Sequence, residues 1–231
     1  MVRLVPLAVE HVAWLGEFLV SHDWPFHAGT VDQDLVTERL RQGYYDGPGI
    51  ATFVVTDGAQ PVGLVRVEDL DDPTPTFDLR IAAAHRGRGH GAAALRELAR
   101  WVFDTHDVER LEGVTRQDNV AMRRTFRAVG FVKEAHYRRG WPTRDGRLLD
   151  AVGYALLRTD WRDGTTSPVA FNDEHDPIDG SHRDAAQRRA ARVSASARKL
   201  GGTTGAVDIR YERELGQDEL IALYASVGWE A

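Results

Sequence analysis

Apolar and polar residues alternate in several short stretches of the chain, which is the period expected of a β-strand with one buried face. The clearest stretch is residues 76–82, in which Phe77 and Leu79 flank Asp78. The other predicted strands are residues 2–7, 50–56, 60–68, 110–115, 132–138 and 150–157. Asp-Gly pairs at 57–58 and 145–146 predict tight hairpin turns, so the strands on either side of each pair should be antiparallel.

Other stretches repeat their apolar residues at the spacing of an amphipathic helix. Leu95, Leu98 and Val102 form such a stripe within residues 91–105. The other predicted helices are residues 9–19, 31–40 and 119–128. Gly130 is placed to end the last of them as a C-cap glycine. The order of elements predicts an α/β chain of the α+β kind, with an antiparallel start, a single strand-to-helix crossover and a closing hairpin.

A glycine-rich segment, His85-Arg86-Gly87-Arg88-Gly89-His90-Gly91, joins the strand at 76–82 to the helix at 91–105. The N-terminus of a helix presents unpaired backbone N–H groups and the positive end of the helix dipole, which together bind phosphate. Glycines let a pyrophosphate approach the backbone, and arginines add charged donors. The segment therefore predicts a phosphate-binding turn, although a tight turn without a ligand has a similar composition.

Three kinds of phosphate-binding loop have to be distinguished here. A P-loop is excluded, because it needs Gly-Lys-Ser/Thr where this chain has Gly91-Ala92-Ala93. A dinucleotide fingerprint fits Gly87-x-Gly89-x-x-Ala92 and predicts a dehydrogenase that binds NAD(P), but that motif normally opens the first βαβ unit of a fold. The pattern Arg86-x-x-Gly89-x-Gly91 resembles the loop that binds the pyrophosphate of acyl-CoA in the GNAT superfamily of N-acetyltransferases.

The resemblance to GNAT proteins extends over residues 1–162. The run at 112–123, Glu-Gly-Val-Thr-Arg-Gln-Asp-Asn-Val-Ala-Met-Arg, resembles the strand-to-helix passage of the RimJ/RimL-like branch, whose members acetylate protein N-terminal amines and various small amines. Gly130-Phe131 and Asp160-Trp161 fit the ends of that helix and of the domain. The resemblance implies the GNAT fold, a central mixed, mostly antiparallel sheet flanked by helices. It also implies an acetyl-CoA-dependent N-acetyltransferase, in which a primary amine attacks directly in a ternary complex.

The resemblance further implies which residues hold acetyl-CoA. Free backbone N–H groups around Ile81, Ala82 and Ala83 would hold the pantetheine arm and polarise the thioester. Small residues there also suit simple packing under a helix. Asn119 would reach the pantetheine from the start of the next helix. The turn would hold the pyrophosphate through Arg86, Gly87, Arg88, Gly89, His90, Gly91 and Ala92.

Acyl transfer to an amine needs a neutral nucleophile. Lysine amines, with pKa values near ~10.4, need more help from a base than α-amines near ~8. Asp78 is the first candidate for a general base and Glu68 the second, because both lie on strands that border the expected acceptor cleft. An alternative interpretation pairs Asp78 or Glu112 with Arg80 in a structural ion pair.

Two positions depart from the family pattern. Phe126 replaces a tyrosine that protonates the leaving thiolate in many members, and Met122 replaces a serine used by some RimL-like enzymes. The thiolate would then leave unassisted, or would be protonated by Tyr137 or by water. The outright alternative is a catalytically inactive domain that binds acyl-CoA as a sensor or scaffold.

The connection between the first two predicted helices, residues 22–27, is the candidate acceptor site. Aromatic rings and histidines on a loop suit an amine ligand through cation–π contact and charge pairing. The candidate residues are His22, Trp24, Phe26 and His27 on this connection and Tyr137 on the opposite wall. A hydrophobic plug with polar caps is the alternative interpretation.

Composition narrows the function classes further. The 231 residues contain no cysteine, which excludes disulfides, a thiolate nucleophile and a thiolate metal site. A net charge of −6 gives no electrostatic reason to expect nucleic acid. The longest apolar run, residues 50–55, is too short to span a bilayer, so no membrane contact is expected. These features predict a cytoplasmic protein.

The chain changes character after residue 162. Residues 163–180 are polar and are predicted to form a linker. His175 in this segment and His182 just after it lack the spacing of metal ligands, so no metal site is predicted. Residues 181–231 form a C-terminal extension, with a basic helix at 181–200, a strand at 208–212 and a helix at 217–226. The last two resemble the first strand and helix of a second GNAT domain. Because a lone strand–helix pair cannot satisfy its backbone, this extension predicts docking on a sheet edge, favouring a homodimer.

Overall fold

The computed structural model describes residues 1–27 and 31–170, and the linker and extension predicted beyond residue 170 lie outside them. The described helices and strands follow one another in the predicted order. Its strands are β1 (Val2–Pro6), β2 (Ala51–Asp57), β3 (Gln60–Glu68), β4 (Thr76–Ile81), β5 (Arg110–Arg116), β6 (Val132–Pro142) and β7 (Leu148–Leu157). Its helices are α1 (Val12–Ser21), α2 (Gln33–Arg41), α3 (His90–Thr105), α4 (Val120–Val129) and α5 (Arg158–Asp163).

All seven strands form one sheet in the order β1-β2-β3-β4-β5-β7-β6. Every neighbouring pair is antiparallel except β4 and β5. Mixed topology with one parallel pair contradicts the dinucleotide-binding interpretation, because a doubly wound fold is built from successive parallel strands. It confirms the predicted mixed, mostly antiparallel sheet flanked by helices.

The parallel pair opens almost as soon as it forms. Thr76 pairs with Glu112, and no further residues of β4 pair with β5. Beyond this point β4 continues beside β3 while β5 continues beside β7, so the sheet splits into two arms. A gap with an unpaired strand edge therefore lies in the middle of the sheet.

Helices cover both faces of the sheet. Helices α3 and α4 pack on one face, where Leu95, Leu98 and Phe126 are buried against the strands. Helices α1 and α2 cover part of the other face around Leu15 and Val36. On β4, Phe77, Leu79 and Ile81 pack toward the first cluster, whereas Asp78 and Arg80 face the second, as the alternation predicts.

Element boundaries differ most from the predictions in three places. The first helix begins as a 3₁₀ turn at Val9–His11, and the hairpin strand β6 continues to Pro142. Residues predicted only as the end of the domain form the short helix α5. In the part of the chain that the structure describes, no helix has the length and hydropathy needed to cross a membrane.

Candidate functional site

A cavity of about 440 Å³ lies where β4 and β5 separate. Its walls come from the end of β4, the glycine-rich turn, the first turns of α4 and the connection at 24–27. This cavity joins two predicted sites, the phosphate-binding turn and the acceptor connection.

The glycine-rich turn is shaped for close approach to the backbone. Gly87 and Gly89 have φ angles of +74° and +84°, and Gly89 is the N-cap of α3. A side chain is strained at such angles, which explains glycine at both positions. Within the described residues, no backbone carbonyl accepts a hydrogen bond from the amides of residues 87–92. The turn therefore offers a row of free donors at a helix N-terminus.

The unpaired edge of β4 differs in detail from the prediction. The amide of Ala82 donates to the carbonyl of Val62, which directs it toward β3 and away from the gap. Because N–H groups alternate in direction along a strand, those of Leu79 and Ile81 face the gap instead. The prediction that the Ala82 amide binds the pantetheine arm is therefore wrong, because this amide pairs with β3. Arg86 Nε donates to the carbonyl of Ile81 at 2.8 Å.

Two of the predicted turn residues direct their side chains elsewhere. His90 is buried, with Nδ1 3.0 Å from the carbonyl of His85 and Nε2 3.1 Å from Asp57 Oδ2. Its side chain therefore fixes the start of α3 to the β2–β3 hairpin and does not reach the cavity. Arg88 is exposed and does not line the cavity either.

Helix α4 begins at the cavity wall. Asn119 is its N-cap, with Oδ1 accepting from the amide of Met122 at 3.1 Å and Nδ2 donating to Thr115 Oγ1 at 3.0 Å. Asn119, Met122 and Thr125 all line the cavity. Phe126 is instead buried in the core, where its ring stacks on Tyr154 at 4.7 Å.

The predicted acceptor connection splits into residues that reach the cavity and residues that do not. Trp24, Phe26 and His27 line it. His22 does not, since its ring stacks on Trp24 and its Nδ1 contacts the carbonyl of Phe18. Tyr137 on β6 is half exposed and lies outside the cavity wall.

Three arginines from separate elements hold this connection in place through its backbone. Arg86 donates to the carbonyl of Asp23 at 3.4 Å, Arg144 to that of Trp24 at 3.3 Å, and Arg116 to that of Pro25 at 3.0 Å. They come from the glycine-rich turn, the β6–β7 turn and the end of β5. We call Arg86, Arg116 and Arg144 the arginine latch. The latch holds the connection across the opening between the two arms of the sheet.

Asp78 lies at the centre of a polar cluster beneath the connection. Its Oδ1 is 2.8 Å from His27 Nε2, and its Oδ2 is 2.8 Å from Arg80 Nε and 2.7 Å from Nη2. Burial raises the pKa of Asp78, but the hydrogen bond from His27 and the charge of Arg80 outweigh burial and hold the pKa well below its ordinary value. The carboxylate is therefore ionised, and each of its two oxygens accepts a hydrogen bond.

Glu68 lies away from the cavity. It pairs with Thr76 at the start of β4, five residues from Ile81 and so roughly 17 Å along the strand. Its carboxylate contacts Arg66 at 2.5 Å. Glu112 likewise pairs with Arg110, and not with Arg80.

Comparison with known proteins decides between the remaining interpretations. The family model of the acetyltransferase (GNAT) domain matches residues 2–132, more than half of the chain. The chain belongs to the GNAT acetyltransferase family. Its sequence is 27% identical over 161 residues to YdaF of Bacillus subtilis strain 168, named for a proposed ribosomal N-acetyltransferase activity, and the match covers 69% of this chain and 86% of YdaF.

Solved structures show the same fold. A spermidine N-acetyltransferase from Vibrio cholerae, in complex with CoA and spermine, has a TM-score of 0.59 at 18% identity. A chimera of the Vibrio enzyme SpeG with hSSAT has a TM-score of 0.63 at 17% identity. Each match covers 70% of this chain and 98% of the other.

The geometry of this GNAT acetyltransferase fits acetyl-CoA, the cosubstrate of the family. Free amides at residues 87–92 suit the pyrophosphate, and a Cβ on Gly91 would come within 3.6 Å of Thr125 Oγ1 and fill the cradle between α3 and α4. The open edge of β4 at Leu79 and Ile81 suits the amide groups of the pantetheine arm.

Sequence reasoning missed several residues that line the cavity. Arg80 is the most consequential, and its position two residues after Asp78 on one strand face was the signal that could have placed it there. Thr125 could have been found at helical spacing from Met122. The other missed residues are Pro25, Leu79, His85, Ala121 and Arg124.

Proposed function

We propose that this acetyltransferase transfers an acetyl group from acetyl-CoA to a primary amine by direct attack in a ternary complex. The observation that carries the proposal is the single cavity, because it brings the phosphate-binding turn, the open edge of β4 and His27 together. Cofactor and acceptor can thus meet without a covalent enzyme intermediate.

Different residues of the chain would bind different parts of the cosubstrate. Bound acetyl-CoA supplies an acetyl thioester, whose carbonyl carbon forms the new bond to nitrogen as the bond to sulfur breaks. The amides of residues 87–92 would hold the pyrophosphate, with Arg86 adding charge at the rim. Amides of Leu79 and Ile81 would bind the pantetheine arm and donate to the developing oxyanion. Asn119 would contact the same arm.

We propose that Asp78 acts through His27 and not as the base itself. A carboxylate held by Arg80 and His27 accepts protons poorly, as its depressed pKa indicates. Asp78 Oδ1 accepts from His27 Nε2–H, which leaves the lone pair of the imidazole on Nδ1. Among the described residues, this Nδ1 is buried and has no hydrogen-bond partner. The imidazole can therefore take the proton that the amine loses.

The leaving thiolate has no protein acid beside it in this proposal. Met122 has no ionisable proton, Phe126 is in the core, and Tyr137 lies outside the cavity wall. A thiolate with a pKa near ~8.5, by analogy with cysteine, leaves without assistance and is protonated by water.

We further infer a catalytic domain at residues 1–162, a linker at 163–180 and an extension at 181–231 that docks on a sheet edge, its own or a second copy's. The extension's likeness to the start of another GNAT domain and the RimJ/RimL-like run at 112–123 support this. The Vibrio enzyme similar in fold is described as dodecameric. Deleting residues 205–231 should change solubility, stability or the mass measured by light scattering, and an unchanged protein would refute the docking.

The transfer itself is tested by two measurements on the full chain. Isothermal titration should show binding of acetyl-CoA and none of NAD⁺. A thiol-release assay with a panel of primary amines should then show turnover. Tight binding of acetyl-CoA with no turnover on any amine would instead support a sensor or scaffold.

A further inference from the structure

Arg80 has a donor that nothing in the described part of the protein uses. The residue is 9% exposed and lines the cavity. Its Nε and Nη2 are both committed to Asp78, whereas Nη1 is buried and has no hydrogen-bond partner among the described residues. Leaving a buried charged donor unsatisfied is costly, so a group that accepts a hydrogen bond from Nη1 gains from binding there.

The same carboxylate positions Arg80 and His27. Because Asp78 contacts Arg80 through one oxygen and His27 through the other, the two free nitrogens, Nη1 and Nδ1, lie on either side of one short side chain. The Trp24 ring contacts both partners, with the Arg80 guanidinium 5.4 Å and the His27 ring 6.1 Å from its centroid. An anion-binding donor and a proton acceptor thus belong to two residues that line one cavity and share one carboxylate.

The charges around the cavity favour an acceptor without excess positive charge. Arg80, Arg86 and Arg124 line it, and no aspartate or glutamate is among the described residues of its wall. Asp78 and Arg80 form an ion pair and offset each other, so Arg86 and Arg124 give the wall its excess positive charge. A polyamine would bring several positive charges into a cationic wall, whereas a zwitterion brings none.

We infer that the acceptor is a small zwitterionic amine, with a carboxylate beside the reacting nitrogen, and that Arg80 Nη1 binds that carboxylate. This inference rests on the proposed function, since it assigns the acceptor of the same site. The carboxylate pairs with Arg80 while the adjacent amine meets His27 Nδ1. The ammonium passes one proton to Nδ1, and its nitrogen then bonds to the acetyl carbon as the carbon–sulfur bond breaks. CoA leaves as the thiolate, which takes up the second proton from nitrogen through water. An α-amino acid has this arrangement of groups.

Leucine and two analogues that differ from it only at the carboxylate, together with a polyamine, test the inference. These are leucine, leucinamide, isoamylamine (leucine without its carboxylate) and spermidine. Leucine should have the highest kcat/KM, about 10- to 100-fold above leucinamide and isoamylamine. Arg80→Lys and Arg80→Gln should raise the KM for leucine relative to the KM for isoamylamine by about the same factor, whatever either variant does to the shared network. Arg80→Lys keeps a charge beside Asp78, so it serves if Arg80→Gln does not fold.

Arg66→Lys is the matched control, because Arg66 is a buried, ion-paired arginine on the neighbouring strand and lies outside the cavity wall. It should keep the preference for leucine. Turnover of leucinamide, isoamylamine or spermidine at least as good as that of leucine would overturn the inference and leave the proposed function standing. Turnover of none of the four would count against acetyl transfer itself. In that case the inference is tested by binding alone, with leucine and leucinamide titrated onto the CoA-loaded protein. Leucine should bind more tightly than leucinamide, and the difference in affinity should disappear in Arg80→Lys. If either result is not obtained, the inference is wrong as well.

Discussion

The two halves of the cavity are built from different parts of the chain. The cofactor side uses backbone amides of the turn at 87–92 and of β4, held by regular secondary structure. The acceptor side uses side chains, His27, Asp78 and Arg80, held by one another. The first side is therefore fixed by local geometry, whereas the second depends on an ion-pair network that a single substitution can dismantle.

The largest effect is expected on the cofactor side, from Gly89→Glu and Gly91→Glu. Each places a carboxylate where the pyrophosphate binds, and binding of acetyl-CoA should fall below detection by isothermal titration. Gly146→Glu is the matched control for Gly89→Glu, because Gly146 also has a positive φ, +79°, and open space around it, but lies in the β6–β7 turn. Ordinary affinity in the Gly89 and Gly91 variants would remove the cofactor assignment.

On the acceptor side, His27→Gln should lower kcat by about 100- to 1,000-fold through loss of the base, with little change in affinity for acetyl-CoA. His136→Gln removes a comparable histidine–aspartate pair, 2.7 Å from Asp150 and outside the cavity wall, and should leave kcat unchanged. Equal rates in the two variants would contradict the role of His27.

Asp78→Asn tests whether the acceptor side also stabilises the fold. Because the folded pKa of Asp78 is depressed, its ionised form contributes stability that is complete above the unfolded-state pKa near ~3.9 and is lost as pH falls through the folded value. The variant should lose roughly 1–3 kcal/mol of the free energy of unfolding at pH 7. Urea denaturation at pH 7 and pH 3 should show this difference shrinking at the lower pH. A difference that is equal at both pH values would argue against the ionised network.

The smallest effect is expected where the two halves are joined. Arg116→Ala removes one hydrogen bond of the arginine latch, so the KM for the acceptor should rise about two- to fivefold. Amide exchange at residues 22–27 should become faster while α3 is unaffected. Arg147→Ala is the control, because Arg147 pairs with Asp145 within its own turn. Unchanged exchange in Arg116→Ala would mean that the latch does not restrain the connection.

The contrast between local backbone geometry on the cofactor side and side-chain contacts on the acceptor side also explains what the sequence could predict. Within the described residues, periodicity predicted all seven strands and four of the five helices, because each pattern is local. The glycine-rich turn was predictable for the same reason. The contact of His27 with Asp78 joins residues 51 positions apart, and no local pattern encodes it. Asp78 could be placed on the correct strand face, and its ion pair with Arg80, two residues away, was among the alternatives. Its second partner, His27, which also lowers its pKa, comes from the tertiary fold. The same limit explains Glu68, whose distance from the cavity depends on the register of β3 and β4.

The arginine latch has a consequence for how acceptor choice can change during evolution. Its three arginines bind the carbonyl oxygens of Asp23, Trp24 and Pro25, and every amino acid supplies a carbonyl. Side chains on this connection can therefore be replaced without undoing its attachment. New acceptors become accessible by single substitutions at residues 22–26, while the backbone path across the cavity is inherited unchanged.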